Sequence, residues 1–94
     1  MLSIVNNEQK CLICNTPFYE THLFKHNIFY GNGIEELSKQ YGCWCYLCPR
    51  HHATSAGVHY NLKLDLKLKQ HTQRRFNEVY PELDFVKIFG KNYL

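Results

Sequence analysis

Cys43-Trp44-Cys45-Tyr46-Leu47-Cys48-Pro49-Arg50-His51-His52, continuing through Ala53-Thr54-Ser55-Ala56-Gly57-Val58 to His59, is the stretch whose reading decides the fold. Cys43 to Leu47 is a short apolar and aromatic run, which predicts a buried strand. Cys48-Pro49-Arg50-His51 then places a thiolate and an imidazole on one tight turn, the arrangement of half a tetrahedral zinc site. The other half lies upstream in Cys11-Leu12-Ile13-Cys14. Cys11, Cys14, Cys48 and His51 are therefore the expected ligands of a structural Zn2+. Cys45 is the rival fourth ligand, because Cys45-Tyr46-Leu47-Cys48 has the same two-residue gap. His51 is preferred, since Cys48-Pro49 opens a turn while Cys45 sits mid-strand, and Cys43 and Cys45 then read as small core residues. His52 and His59 are left over beside this knuckle, and function is sought there.

The 94 residues suffice for one domain, which is expected to span 1–94 and to gain from a metal staple. Five cysteines cannot all pair with one another, and no apolar run reads as a secretion signal or a membrane span. The expectation is thus a reduced, intracellular, metal-bound chain with no membrane partner. The net charge of +3 is compatible with a phosphate-bearing partner without requiring one. Aromatic residues make up 15% of the chain, read first as core and second as a base-stacking surface.

Working outward, residues 1–10 are polar and aperiodic, a short lead-in. The second half of Phe18 to Tyr30 reads as a strand, broken by Gly31-Asn32-Gly33. Ile34, Leu37 and Tyr41 are spaced for a short helix closed by Gly42. Leu62, Leu64, Leu66 and Leu68 alternate as in a strand. The longer stripe of Leu64, Leu68, Thr72, Phe76 and Val79, with Lys, Gln and Arg between, predicts a helix instead. Pro81 punctuates it, and Leu83 to Phe89 forms a second helix that Gly90 terminates. Tyr93 and Leu94 are expected to pack. The fold class is α+β, with knuckles at 11–14 and 48–51, a core of strands and helix over about 23–60, and C-terminal helices over about 61–90.

His26-Asn27-Ile28-Phe29-Tyr30-Gly31, Ser38-Lys39-Gln40-Tyr41-Gly42, Leu47-Cys48-Pro49-Arg50-His51-His52 and Gly57-Val58-His59-Tyr60-Asn61 together resemble the small HNH-type proteins of bacteriophages and prophages. The likeness continues through Leu64-Asp65-Leu66-Lys67-Leu68-Lys69 to the Phe89-Gly90-Lys91-Asn92-Tyr93-Leu94 ending. It implies a ββα-metal (His-Me) finger: two strands joined by a long loop, then a helix, around one catalytic divalent ion (Mg2+, Mn2+ or Zn2+). It also implies a DNA endonuclease in the host cytoplasm, with DNA as partner and a phage or host protein as a further one. Carried over residue by residue, His26 would be the general base that activates water against a phosphodiester. His52 and His59 would hold the ion, with Asn61 a further ligand or an orienting residue.

Three positions depart from the family pattern. Asn27 follows the strand-end histidine where members often carry His or Glu, and Ile34-Glu35 stands where an Asn-Arg pair is usual. These departures favour a competing class, a degenerate HNH finger that binds DNA or protein without cutting. Lys63, Lys67, Lys69, Arg74 and Arg75 read first as a solvated helix face. If that helix lines a nucleic-acid groove, Lys67 and Arg74 are the phosphate contacts. His22 and His71 are read as ordinary surface residues.

Overall fold

The computed structural model describes residues 1–94 as a small α+β chain with a two-stranded sheet and four helices. In chain order these are β1 (Phe24–Asn27), α1 (Ile34–Gln40), β2 (Trp44–Leu47), α2 (Pro49–Ala53), α3 (Leu62–Val79) and α4 (Phe85–Phe89). The strands pair antiparallel, with Phe24 opposite Leu47, Lys25 opposite Tyr46, His26 opposite Cys45 and Asn27 opposite Trp44. Opposed residues share a sheet face. Phe24, His26, Cys45 and Leu47 therefore lie on one face, and Lys25, Asn27, Trp44 and Tyr46 on the other. The three buried members of the first set, His26, Cys45 and Leu47, make it the inner face.

The strand expected from Cys43 begins one residue later, because Ser38 takes over the Cys43 backbone. The Cys43 N–H donates to the Ser38 carbonyl at 2.7 Å, and the Ser38 hydroxyl donates back to the Cys43 carbonyl. That hydroxyl also accepts the Phe29 N–H at 3.1 Å, which ties the end of α1 to the chain leaving β1.

Residues 1–10 are not the loose lead-in that their polarity suggests. Ile4 N–H donates to the Gly42 carbonyl at 2.9 Å, and the Asn6 side-chain oxygen accepts the Tyr46 N–H at 2.6 Å. Leu12 N–H donates to the Tyr46 carbonyl at 2.9 Å. With only two strands in the sheet, β2 has a free edge whose backbone groups need partners. The opening segment supplies two of them, the Ser3 hydroxyl donating to the Trp44 carbonyl and the buried Asn6 side chain, and the Leu12 backbone adds the third. It also covers the outer face, where the Trp44 indole donates to the Met1 carbonyl at 3.1 Å.

The helix expected from the Leu64-to-Val79 stripe is α3, capped by Asn61, whose Oδ1 accepts the Leu64 N–H at 3.1 Å. Its buried face is rotated from the expected stripe. Asp65, Leu68, Thr72, Gln73 and Phe76 are inside, while Leu64 is only half-buried. Gln73 accounts for part of this rotation: it receives the Tyr93 N–H at 2.8 Å and donates to Asn92 Oδ1 at 2.8 Å, holding the last residues against the helix. Tyr93 packs on Phe29 with ring centroids 5.4 Å apart, whereas Leu94 is half exposed, contrary to expectation. Asp84 caps α4, and Gly90 closes it in the left-handed conformation at φ 79°, as its place after Phe89 suggests. Phe29, Phe76, Phe85 and Phe89 form an aromatic core between α3, α4 and the sheet.

None of the five cysteines is in a disulfide, and no helix is long and apolar enough to cross a membrane. Asn6→Ala would leave the Tyr46 N–H unpaired at the β2 edge, an expected loss of about 1–3 kcal/mol in urea unfolding. An unchanged midpoint would show that the edge needs no such cover.

Two side-chain clusters as candidate metal centres

The one-turn helix α2 builds both clusters. Successive residues on a helix point about 100° apart, so neighbouring histidines on α2 face different surroundings. Pro49 at the first helical position starts the turn with its φ already set. His51 then faces the cysteines, and His52 faces the sheet.

In the first cluster the ligand atoms of Cys11, Cys14, Cys48 and His51 all lie within 4.8 Å of one another. Cys14 Sγ is 3.7 Å from Cys48 Sγ, and His51 Nδ1 is 3.3 Å from Cys48 Sγ and 3.8 Å from Cys11 Sγ. Zn–S bonds near 2.3 Å and Zn–N bonds near 2.0–2.1 Å at tetrahedral angles put S···S at about 3.8 Å and S···N at about 3.5 Å. The four side chains thus already stand at the separations a tetrahedral ion needs, and this Cys3His cluster could hold a structural metal such as zinc. Cys45, the rival ligand, is absent from the cluster: it is fully buried opposite His26. Burial pushes the Cys45 thiol pKa up, and takes Cys43 to about 12, so both remain protonated core thiols. Burial also pushes on Cys14, but hydrogen bonds from the Thr16 hydroxyl and backbone and from the Cys11 and Cys48 thiols outweigh it. They hold Cys14 down at about 6, ready as a thiolate.

The second cluster is His26 from β1, His52 from α2 and His59 from the turn before α3, again with ligand atoms within 4.8 Å of one another. His52 Nε2 and His59 Nε2 are 3.0 Å apart, within hydrogen-bond distance. Two ligands of a tetrahedral ion would stand at about 3.3 Å, so loading would need only a small opening. The turn 54–61 folds back on α2: Val58 N–H donates to the His51 carbonyl at 3.0 Å and His59 N–H to the His52 carbonyl at 3.3 Å. Gly57 makes this possible. A Cβ there would come within 2.8 Å of the backbone carbons of both His51 and His52. Phe24, next but one to His26 on β1, stacks on the His52 ring at 4.7 Å and 16° and fixes its plane.

His26 is 4% exposed, and its Nε2 has no hydrogen-bond partner. Burial first, and the neighbouring His59 and His52 second, lower its pKa to about 4. His52 is lowered too, by burial and by His59. Both rings are therefore neutral at pH 7, the state in which imidazole binds metal. The three open onto a cleft of about 400 Å3 that is also lined by Lys25, Asn27, Tyr30 and Glu35.

Other expected site residues fall elsewhere. Asn61 commits its side-chain oxygen to the α3 cap. Lys67 and Arg74 are exposed on α3, two turns apart. His22 packs edge-on against Phe24, and His71 is exposed on α3. The sequence reading missed buried Asp65 and partly buried Lys69 on α3, with Nζ and Oδ2 2.9 Å apart, and Tyr30, whose hydroxyl donates to the same Oδ2 at 2.9 Å. The available signal was a carboxylate at 65 in helical register with Leu68, Thr72 and Phe76, which places a charge on the buried stripe. Comparison with protein families, curated proteins and solved structures found no match.

Two outcomes check the geometry. Cys14→Ser should release the structural ion and unfold or aggregate the chain, while Cys45→Ser should retain metal with a small loss of stability. Zinc lost from Cys45→Ser but not from His51→Ala would reverse the ligand assignment. Gly57→Ala should push His59 away from His52, weakening any ion at the three histidines while sparing the Cys3His ion. Equal loss at both centres in a metal titration would show that the turn supports the whole fold instead.

Proposed function

We propose that the chain is a metal-dependent DNA endonuclease of HNH type, with its catalytic divalent ion at His26, His52 and His59. The observation that carries this reading is the convergence of those three imidazoles in one open cleft, apart from the Cys3His cluster. A protein that needs metal only to fold has no use for the second set. A structural ion at the first cluster would anchor α2 through His51 and so hold His52 in place. His26, His52 and His59 would hold the second ion, which would supply Lewis-acid activation of water and charge neutralisation at the phosphate.

Within this reading His26 is better suited as a third ligand than as the proton acceptor that the family likeness assigns. A general base works best with a pKa near the operating pH, and burial has taken His26 to about 4. A nearby dication would lower it further. Lys25 lines the cleft with its ammonium 4.8 Å over the Trp44 ring on the outer face, and it would swing from there to meet a phosphate in the role of the missing family arginine. Lys67 and Arg74 would extend that contact only if the duplex crosses α3.

A specific observation supports the second reading, a finger that binds without cutting. Asn27 and Glu35 both line the cleft. An amide cannot accept the proton of an attacking water, and a carboxylate repels the phosphate it would meet.

The test is cleavage of duplex, branched and single-stranded DNA by nuclease-free protein in Mg2+, Mn2+ and Zn2+. Wild type should cut at least one form. His26→Ala should lose about two orders of magnitude or more in rate, together with the second ion, and keep the Cys3His ion. Activity surviving His26→Ala undiminished would overturn the reading. Loss of rate with the second ion retained would return His26 to proton transfer. Salt-sensitive DNA binding without cleavage in any metal would favour the binding module.

A further inference from the structure

Only two buried side-chain nitrogen or oxygen atoms in the chain lack a hydrogen-bond partner, His26 Nε2 and Asp65 Oδ1. Buried polar atoms are nearly always paired, so an orphan marks a water, an ion or a functional demand. Here one orphan is a ring nitrogen that can donate, and the other is a carboxylate oxygen that can only accept.

Their surroundings bring them into one neighbourhood. Tyr30 links them: its ring centroid lies 6.4 Å from that of His26, and its hydroxyl donates to Asp65 Oδ2 at 2.9 Å. Lys69 pairs with the same Oδ2 at 2.9 Å, and its ammonium sits 4.1 Å above the Tyr30 ring and 5.5 Å from the Tyr93 ring. Both partners of Asp65 thus converge on a single oxygen. They neutralise the buried charge and lock the carboxylate, yet leave Oδ1 free. Nothing in the core packing calls for this arrangement. A leucine at 65 would suit the buried stripe and would need neither Lys69 nor the Tyr30 hydroxyl.

We propose that Asp65 is a positioning residue for His26: Oδ1 accepts the Nε2–H through one bridging water, leaving Nδ1 to face the ion. Metal-binding histidines commonly donate their second N–H to a carboxylate or to water, which fixes the tautomer and ring orientation and raises ligand basicity. A polar site with two such partners is one a buried water can fill. Lys69 and Tyr30 hold the carboxylate, the carboxylate holds the water, and the water holds the ring. This inference rests on the three-histidine metal centre proposed above and adds α3 to it.

The experiment is a competitive chelator titration with Zn2+ on folded protein already carrying its Cys3His ion. Wild type should take up a second ion. Asp65→Asn should bind that ion about 10–100-fold more weakly and leave the first unchanged. Tyr30→Phe, which removes one of the two partners that hold the carboxylate, should weaken second-ion binding by a smaller factor. A purely structural Asp65 would lower stability in both variants without moving second-ion affinity in the folded fraction. The inference is also readable in wild type alone, should Asp65→Asn not fold: nitrogen-15 shifts of the two-ion form should show His26 protonated at Nε2, with that proton slow to exchange. A His26 with Nδ1–H, or full second-ion affinity in Asp65→Asn, overturns the inference and leaves the metal centre standing. Uptake of a single ion by wild type overturns both.

Discussion

Everything near the cleft depends on the meeting of Cys11, Cys14, Cys48 and His51. These four side chains join the loop before β1 to the turn after β2, segments also tied by the Leu12 N–H to Tyr46 carbonyl bond. In a domain this small, a metal held there would close the loop and make up for limited core area. The cluster also fixes α2, a helix of five residues. On its own such a helix would be unstable, because one turn cannot repay the entropy of its nucleation. Held at Cys48 and His51, it becomes a rigid mount for His52.

From that mount the second cluster follows by short steps. The turn through Gly57 lies flat on the α2 backbone because no side chain intervenes, and it returns His59 to His52. The β1–β2 register puts His26 on the inner face opposite Cys45, with Phe24 two residues before it stacked on His52. The same register keeps Lys25 and Asn27 on the other face, yet at the strand end both reach the rim of the cleft. Each histidine therefore comes from a different local structure, and their convergence is a property of the whole fold.

The residues carrying strong local rules were legible in the sequence. Paired Cys-x-x-Cys and Cys-x-x-His spacings named the first cluster, Gly90 marked the end of α4, and the long stripe identified α3 against its misleading leucine alternation. Gly31-Asn32-Gly33 leads into α1, whereas the strand it was expected to break already ends at Asn27. What the sequence did not show depends on partners far away in the chain. Residues 1–10 look like a tail because their work is done by backbone groups and Asn6 on a strand 40 positions later. Asn61 looks like a ligand in a His-x-Asn motif, but the helix that starts at the next residue claims its oxygen as a cap. Asp65 and Lys69 look like solvated charges until packing turns their side of α3 inward. His26 shows the same limit: its place in the sequence gives no hint of its burial, which is what favours metal binding over proton transfer in the proposed reading.

The central claim is that one chain carries two chemically different metal centres joined through adjacent histidines of α2. Titration of metal-free protein with Co2+ tests it most directly, because thiolate ligands give intense near-ultraviolet charge-transfer bands and imidazoles do not. The account predicts two equivalents. The first should develop thiolate bands, and the second only weak visible bands that vanish in His52→Ala or His59→Ala. Saturation at one equivalent, or thiolate bands that grow through both, would contradict it.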